Sequence, residues 1–331
     1  MNRFLTSAPF LIVGATGHIG SALAFMSVAM RFSSHLILFG RDENKLLGMR
    51  EELYECGVYP IRVDVITEAK QLASLPPVAF IAYTVSVPFR RETTREELLL
   101  SNGELTAKLA KEFAPYIQDT RLLVCVSNPA DAMGLVLQQQ TGLAPEKVCS
   151  LSALDTTRYR KHLSRALHVP LEEMNEVYTL GSHDDKMVVA FEGSRVGGVP
   201  LAQLVQEGKG LSYDDFESVE DIVIRGGRFI IRHRGYMAFE SPALLMLEMF
   251  KATIEGEKPF TIPSSRLSEN PLFPDVFMAL PSYIDTTGVH QDSRYRPEGR
   301  DLEKLTISYN WLKDQRKELI EAGYLNPPAN L

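Results

Sequence analysis

The chain has 331 residues, of which 45% are hydrophobic and 23% charged, and its net charge is −7. This composition indicates a globular protein of about two domains and excludes a disordered or collagen-like chain. The acidic balance, without a long basic run, argues against nucleic acid as a partner. Three cysteines, Cys56, Cys125 and Cys149, are too few and too scattered for a disulfide framework or a zinc site, so we expect a cytoplasmic protein.

The first unusual feature is the stretch from Phe4 to Met30, which contains no Asp, Glu, Lys or Arg. About 20 apolar residues are enough to span a membrane, and an apolar run after Arg3 also resembles a signal peptide. The alternative is the buried strand and helix of a nucleotide-binding unit. Three glycines and His18 would make a poor membrane helix, so we favour the buried unit and expect no membrane association.

The residues inside this stretch indicate what that unit binds. An apolar run at residues 10–13 leads directly into a glycine-rich segment at residues 14–20, and residues 21–30 are predicted to be helical. Strand, glycine-rich turn and helix in this order are typical of dinucleotide binding. The glycines permit a tight turn, a close approach of backbone N–H groups to the pyrophosphate, and close packing of helix on strand. The expected cofactor-binding residues are Gly14, Thr16, Gly17, His18, Ile19 and Gly20.

The end of the next predicted strand, residues 35–39, bears on the form of the cofactor. In an NAD-binding unit an acidic residue is expected there, to hold the ribose 2′-OH. Gly40 occupies this position and leaves room for a 2′-phosphate, with which the Arg41 guanidinium can pair. The pattern favours NADP within the NAD(P) class. The alternative is that Arg41 is solvated and that Asp42 reaches the ribose.

The later elements predict the fold. Strands are expected at residues 59–63, 78–83 and 122–126, with an amphipathic helix carrying apolar positions from residue 98 to residue 117. Strands that alternate with helices predict an α/β fold with a doubly wound parallel Rossmann sheet. We place this dinucleotide-binding domain at residues 1–145 and a second, α+β substrate-binding and catalytic domain at residues 146–331.

In the second half, helices are predicted over residues 155–167, 243–254 and 301–322. Ser241 followed by Pro242 has the pattern of a helix cap and first turn.

Five polar side chains suggest a joint chemistry. Asp155 and Arg158 are three residues apart on a helix and therefore share one face. A carboxylate can orient a histidine such as His183 and raise its pKa, so that the imidazole serves as general acid and base. The Arg158 guanidinium suits a substrate carboxylate, and Arg95 could polarise a reacting carbonyl. Asn128 follows a strand end, where ligands bind.

Five segments in this order resemble the motifs of the malate and lactate dehydrogenase family, over about residues 8–200. They are residues 14–20 (GATGHIG), 94–102 (TREELLLSN), 127–133 (SNPADAM), 154–160 (LDTTRYR) and 181–188 (GSHDDKMV).

The resemblance implies a role for each polar side chain. His183 would be the proton donor and acceptor, with Asp155 as its partner. Arg158 would bind the substrate 1-carboxylate, and Arg95 would polarise the C2 oxygen. Asn128 would hydrogen-bond substrate and cofactor. It also implies a homodimer or homotetramer, with no metal.

Some positions depart from the family pattern. The position that reads the substrate side chain, Arg in malate enzymes and Gln in lactate enzymes, holds Phe89. A shift of one residue would let Arg90 meet a second carboxylate; otherwise Phe89 favours an apolar side chain. Asp184 replaces a glycine, and Glu240 stands where the family is usually uncharged. Asp184 should disfavour an anionic substrate unless its side chain turns away.

We therefore predict an NAD(P)-dependent 2-hydroxyacid dehydrogenase that acts on malate and oxaloacetate. Lactate, or an acid with a longer apolar side chain, is an alternative substrate, and a catalytically inactive nucleotide-binding sensor is an alternative class. A short-chain dehydrogenase or sugar epimerase would need a Tyr-x-x-x-Lys pair near the middle of the chain. That spacing occurs only at Tyr309 and Lys313, in the last predicted helix.

Overall fold

The computed structural model describes residues 3–87 and 94–327. The strands, in chain order, are β1 (Phe10–Val13), β2 (His35–Phe39), β3 (Arg62–Ile66), β4 (Phe80–Tyr83), β5 (Leu122–Cys125), β6 (Val148–Ser150), β7 (Thr179–Leu180), β8 (Val188–Val189), β9 (Arg195–Val196), β10 (Val199–Pro200), β11 (Ser265–Leu267), β12 (Phe277–Ala279), β13 (Ser282–Asp285) and β14 (Gly288–Gln291). The helices are α1 (His18–Ala29), α2 (Glu43–Glu55), α3 (Arg95–Phe113), α4 (Ala130–Thr141), α5 (Ala153–Leu167), α6 (Leu201–Gln206), α7 (Tyr213–Ile224), α8 (Gly226–Arg234), α9 (Glu240–Lys251) and α10 (Gly299–Glu321).

The main sheet has the order β12-β11-β6-β5-β4-β1-β2-β3. Strands β1 to β6 run parallel, whereas β11 pairs antiparallel with both β6 and β12. The parallel part therefore has the order 3-2-1-4-5-6. The order of the strands reverses between β1 and β4, and doubly wound sheets bind ligands at this point. The predicted Rossmann sheet is confirmed. It continues past residue 145, because Val148–Ser150 forms its sixth strand.

Both faces of the sheet are buried, which explains the uncharged opening stretch. Phe10 and Ile12 face a cluster with side chains of α1 and α9, whereas Leu11 and Val13 face a cluster with side chains of α3 and α4. All four are at most 1% exposed. A strand covered on both faces reads as a continuous apolar run. No helix in the described part of the chain is both long and apolar enough to cross a membrane.

The second half forms smaller clusters that pack beside the sheet. One joins α5, α6 and α7 around Tyr159 and Phe216, and another joins α10 to β8 and β12. Short antiparallel pairs, β7 with β8, β9 with β10 and β13 with β14, complete this α+β region.

Several predicted boundaries differ from the structure, and two of the differences have a clear physical reason. The third strand begins at Arg62 and not at residue 59, because Pro60 has no N–H to donate to a ladder. Helix α9 begins at Glu240, so Ser241 is its second residue and does not cap it. Pro242 is tolerated there, because the first N–H groups of a helix have no intrahelical partner.

Candidate active site

The glycine turn between β1 and α1 is packed so closely that glycine is required at two of its positions. Gly14 has φ of +92°, and a Cβ atom there would lie 2.8 Å from the Thr84 hydroxyl. A Cβ atom on Gly20 would lie 2.3 Å from the Gly14 carbonyl oxygen, so only glycine lets α1 approach β1 this closely. Thr16 and Gly17 are exposed at the start of α1. Free backbone N–H groups and the helix dipole at such a terminus suit a pyrophosphate, so these residues fit a dinucleotide.

His18 is placed differently from the other members of this set. Its ring stacks on Phe239, with centroids 5.3 Å apart, and lies 6.1 Å from the Tyr236 centroid. Its side chain therefore contacts aromatic residues of the second half, while its backbone N–H remains at the N-terminus of α1. Ile19 is half-buried beside it.

The end of β2 carries the residues expected to meet the adenosine ribose. Gly40 follows the strand directly, and Arg41 is exposed. Asp42 occupies the cap of α2, where its carboxylate accepts the Lys45 N–H at 3.2 Å. The Asp42 side chain is thus used in the helix cap, which weakens the alternative that it reads the ribose.

One buried carboxylate joins the two principal polar groups of the site. Asp155, in the first turn of α5, is 2% exposed. Its Oδ2 lies 2.5 Å from His183 Nδ1, and its Oδ1 accepts from Arg158 at 2.7 Å. His183 stands in the turn between β7 and β8. The structure therefore brings together three residues that are up to 28 positions apart in the chain.

The charges around this carboxylate set the protonation of the pair. Burial disfavours the charged imidazole, but the adjacent Asp155 carboxylate favours it more strongly, and the pKa of His183 rises to about 9. Burial would raise the pKa of Asp155, yet His183 and Arg158 hold it below its usual value. The pair is therefore an imidazolium beside a carboxylate at neutral pH.

Asp131 also holds the turn that carries His183, and sequence reasoning assigned it no role. Its Oδ2 accepts the backbone N–H of His183 at 2.6 Å, and its Oδ1 accepts the Ser150 hydroxyl at 3.0 Å. Burial raises the pKa of this carboxyl to about 6. The sequence did contain a signal for this role. Asp131 lies in the SNPADAM segment, and a charged residue on a buried helix needs a partner.

Asn102, the last residue of the TREELLLSN segment, was also assigned no role. It is 1% exposed, and its amide connects two loops at the strand ends. It accepts the Val87 N–H at 2.8 Å and donates to the Asn128 carbonyl at 2.7 Å. Asn128 itself is exposed, with its side chain at the cavity described next.

A cavity of about 490 Å³ gathers several of the predicted side chains. A capping box between Thr94 and Glu97 starts α3, so that Arg95 is its first residue. Arg95 donates to the Asp185 carboxylate, which also accepts from Arg228 of α8 at 2.8 Å. The cavity is lined by Arg95, Leu98, Asn128, His183, Asp184, Asp185 and Trp311, among others.

Of the two unexpected carboxylates, Asp184 lines this cavity and Glu240 is not among the described residues that line it. Asp184 accepts from the Trp311 Nε1 at 2.6 Å. Glu240 forms a two-pronged ion pair with Arg234, with both N···O distances between 2.7 and 2.8 Å, and this contact lowers the pKa of Glu240 to about 2. The bond to Trp311 holds one carboxylate oxygen of Asp184 beside α10.

Two predicted substrate-binding residues, Phe89 and Arg90, lie outside the described residues. Among residues 3–87 and 94–327, no group of three His, Cys, Asp or Glu side chains is arranged to hold a metal ion.

The chain is similar to known proteins over most of its length. The family model for the lactate/malate dehydrogenase NAD-binding domain matches residues 10–150, and the model for the α/β C-terminal domain of that family matches residues 152–322. A malate dehydrogenase of Chlorobium phaeovibrioides is 26% identical, over 94% of this chain and 98% of its own. An L-2-hydroxycarboxylate dehydrogenase (NAD(P)(+)) of Methanocaldococcus jannaschii is 28% identical, over 85% of this chain and 89% of its own.

Solved structures show the same fold. The minor L-lactate dehydrogenase of Enterococcus mundtii superposes with a TM-score of 0.84 at 24% identity, over 94% of this chain and 98% of its own. The two family models together span nearly the whole chain. The chain is an oxidoreductase with an NAD(P)-type cofactor, and it belongs to the lactate/malate dehydrogenase family.

Proposed function

We propose that this enzyme interconverts a 2-hydroxy acid and its 2-oxo acid, with malate and oxaloacetate as the preferred pair. The observation that carries this proposal is the buried Asp155, which contacts both the Arg158 guanidinium and the imidazole of His183, a residue that lines the cavity. A proton donor next to an anion-binding group is what a 2-oxo acid requires for reduction.

His183 is the proposed acid and base. Because its Nδ1 contacts Asp155, Nε2 is the nitrogen left to exchange a proton with the substrate. In reduction the imidazolium gives this proton to the C2 oxygen, and in oxidation the neutral ring takes it back. The Asp155 carboxylate orients the ring and stabilises its charged form.

Arg158, Arg95 and Asn128 are the proposed substrate-binding groups. Arg158 would hold the 1-carboxylate, because Asp155 already fixes one of its nitrogens in the site. Arg95 would polarise the C2 oxygen when it exchanges its Asp185 partner for the substrate. Asn128 would hydrogen-bond substrate and cofactor at the end of β5.

The nicotinamide cofactor, when bound, supplies or accepts the hydride at C2. We propose that the residues of the glycine turn from Gly14 to Gly20, together with Asn128, hold it. Arg41 would bind a 2′-phosphate, which gives a preference for NADP over NAD. The use of Asp42 as a helix cap and the lack of a side chain on Gly40 support this preference.

The substrate side chain is assigned on several grounds. Malate dehydrogenases are prominent among the relatives, and Arg90, which lies outside the described residues, would suit a second carboxylate. The second candidate is a 2-oxo acid with a longer apolar side chain, which the Leu98, Leu99 and Trp311 side chains of the cavity would favour.

A substrate panel tests the proposal. Oxaloacetate, pyruvate and 2-oxoisocaproate are each supplied with NADH and with NADPH. Highest kcat/KM on oxaloacetate is expected, whereas highest kcat/KM on 2-oxoisocaproate would select the second candidate. Cofactor binding without turnover of any of the three would contradict the proposal and leave a nucleotide-binding sensor.

We also propose a cytoplasmic homodimer or homotetramer. The family resemblance supports an oligomer, and so do exposed apolar side chains such as Phe25, Phe229 and Met237, each more than half exposed. Sedimentation equilibrium tests this part directly, since a monomer would contradict it.

A further inference from the structure

Asp184 directly follows His183, the proposed proton donor. Its carboxylate accepts hydrogen bonds from three donors. Oδ1 accepts from the Ser182 hydroxyl at 2.7 Å and from the Lys186 N–H at 2.7 Å. Oδ2 accepts from the Trp311 Nε1 at 2.6 Å. Since Trp311 belongs to α10, this last bond is the one that draws the carboxylate towards that helix.

This carboxylate shares the cavity with the groups that would hold an anion. Asp184, His183, Arg95 and Trp311 all line it. Two negative charges a few ångströms apart repel strongly when water is partly excluded. A carboxylate free to rotate there would also compete with the substrate for the arginines. The direction of the Asp184 side chain therefore matters for any anionic substrate.

The indole is well suited to fix that direction. Its N–H is a donor only, so it holds an acceptor such as a carboxylate and cannot exchange roles. Helix α10 is itself tied to the same turn one helical turn earlier, where Ser308 accepts the Ser182 N–H at 2.8 Å and donates to the Ser182 hydroxyl at 3.1 Å. Trp311 is half-buried in the cavity wall, on a helix that is anchored to the turn that carries His183.

We propose that Trp311 is a positioning residue that determines specificity for anionic substrates: its indole N–H holds the Asp184 carboxylate against α10 and keeps that charge away from the substrate. This inference rests on the proposed function, because it takes a 2-oxo acid as the substrate. Trp311 acts through Asp184 and takes no part in proton transfer.

A double-mutant cycle tests this role. Trp311→Phe keeps an aromatic ring but removes the N–H, so Oδ2 of Asp184 loses its bond to α10 while Oδ1 keeps the Ser182 and Lys186 donors. We expect the KM for oxaloacetate to rise about tenfold, the size of one pKa unit of differential interaction, with kcat within about twofold of the wild type. The rise should shrink at high salt, where charge repulsion is screened. Asp184→Asn and the double variant should both stay within about twofold of the wild-type KM.

Asp314→Asn is the matched control, since it removes an exposed carboxylate from the same helix and should leave KM unchanged. An equal rise in KM from Trp311→Phe on the Asp184→Asn background would show loss of packing and overturn the inference. An unchanged KM in Trp311→Phe would overturn it as well.

A readout without turnover separates this inference from the proposed function. Trp311 is the single tryptophan of the chain, so the emission spectrum of the protein reports on this ring. Asp184→Asn should shift the emission maximum and Asp314→Asn should not; identical spectra for all three proteins would overturn the inference. Absence of turnover of every 2-oxo acid by the wild type would instead contradict the proposed function.

Discussion

The imidazole of His183 lies 2.5 Å from the carboxylate of Asp155, with the carboxylate almost wholly buried. The same carboxylate binds Arg158, so one side chain sets the position of two groups with different tasks. It also sets the protonation of the ring, because a charge held out of water interacts more strongly with its neighbour. The first two predictions follow from this contact.

The pH dependence should differ between the two directions of the reaction. Reduction requires the imidazolium, and the pKa of His183 is raised to about 9. We expect kcat/KM for oxo acid reduction to stay level from neutral pH to about 8 and to fall as pH rises through 9. Hydroxy acid oxidation requires the neutral ring, so its kcat/KM should rise over the same interval. Initial rates in both directions between pH 6 and about 10.5 check this.

Asp155→Asn should move that profile to lower pH. Without the carboxylate, burial is the main remaining influence, and it lowers the pKa of His183 below about 6.5. Reduction at pH 7.5 should then fall by about tenfold or more, and KM should rise because Arg158 loses its partner.

Asp64→Asn provides a control for that variant. Asp64 forms a similar contact, 2.7 Å from His35, on the main sheet. Its removal should leave the pH profile unaltered. An Asp155→Asn enzyme that kept the wild-type profile would exclude this carboxylate as the cause of the raised pKa.

His183→Asn should separate chemistry from binding. Asparagine keeps a polar side chain of similar reach but cannot carry the proton, so turnover should fall by about 10²- to 10⁴-fold. Cofactor affinity, measured by calorimetry, should stay within about twofold of the wild type, because the glycine turn lies on a different element. Activity equal to the wild type would remove the acid–base assignment.

Much of this arrangement could be predicted from local patterns. The strand at residues 10–13 and the strand at residues 35–39 coincide with β1 and β2, because a central parallel strand reads as an uninterrupted apolar run. The glycine turn could also be predicted, because the spacing of its glycines follows from the close approach of α1 to β1.

What could not be predicted depends on contacts between distant segments. The partners of Asp184 are Ser182 and Lys186, two residues away on either side, and Trp311 of α10, 127 positions away, so sequence alone did not show how its carboxylate is held. The role of Asp131 was missed for the same reason, since its acceptor contact with the His183 N–H spans 52 positions. Helix α9 started earlier than expected because Ser241 fits a cap and a first turn almost equally well.

Gly20→Ala should disturb the cofactor turn. The added methyl group would lie 2.3 Å from the Gly14 carbonyl oxygen, so α1 has to move away from β1. We expect a loss of about 1–3 kcal/mol in unfolding free energy and a weaker affinity for the cofactor. Chemical denaturation and calorimetry measure the two effects.

Gly48→Ala is the matched control, because it lies within α2 and a methyl group there meets no atom within 4 Å. It should stabilise the protein by about 0.4–1 kcal/mol through a less flexible unfolded chain. Equal behaviour of the two variants would mean that close packing at Gly20 is not what the turn depends on.

Arg41→Ala should change the choice of cofactor. If Arg41 binds the 2′-phosphate, the loss of a charge-assisted contact of about 1.5–3 kcal/mol should lower kcat/KM with NADPH by about 10- to 100-fold. The value with NADH should stay within about twofold, because NADH lacks that phosphate. Gly40→Asp should act in the same direction by repelling the phosphate and offering an acceptor to the ribose. Its Cβ atom would lie 3.4 Å from Leu46, a contact that a flexible leucine can accommodate.

The control for Arg41→Ala is Arg50→Ala. Arg50 lies in α2, the helix that follows Arg41, and its guanidinium is already paired with Glu51 at 2.8 Å. It removes the same charge from the same region but should leave the ratio of the two cofactors unchanged. If Arg41 acted only through the positive electrostatic potential of this region, kcat/KM with NADPH would fall in both variants. A specific contact lowers it in Arg41→Ala alone, and a wild type that prefers NADH would contradict the assignment before either variant is made.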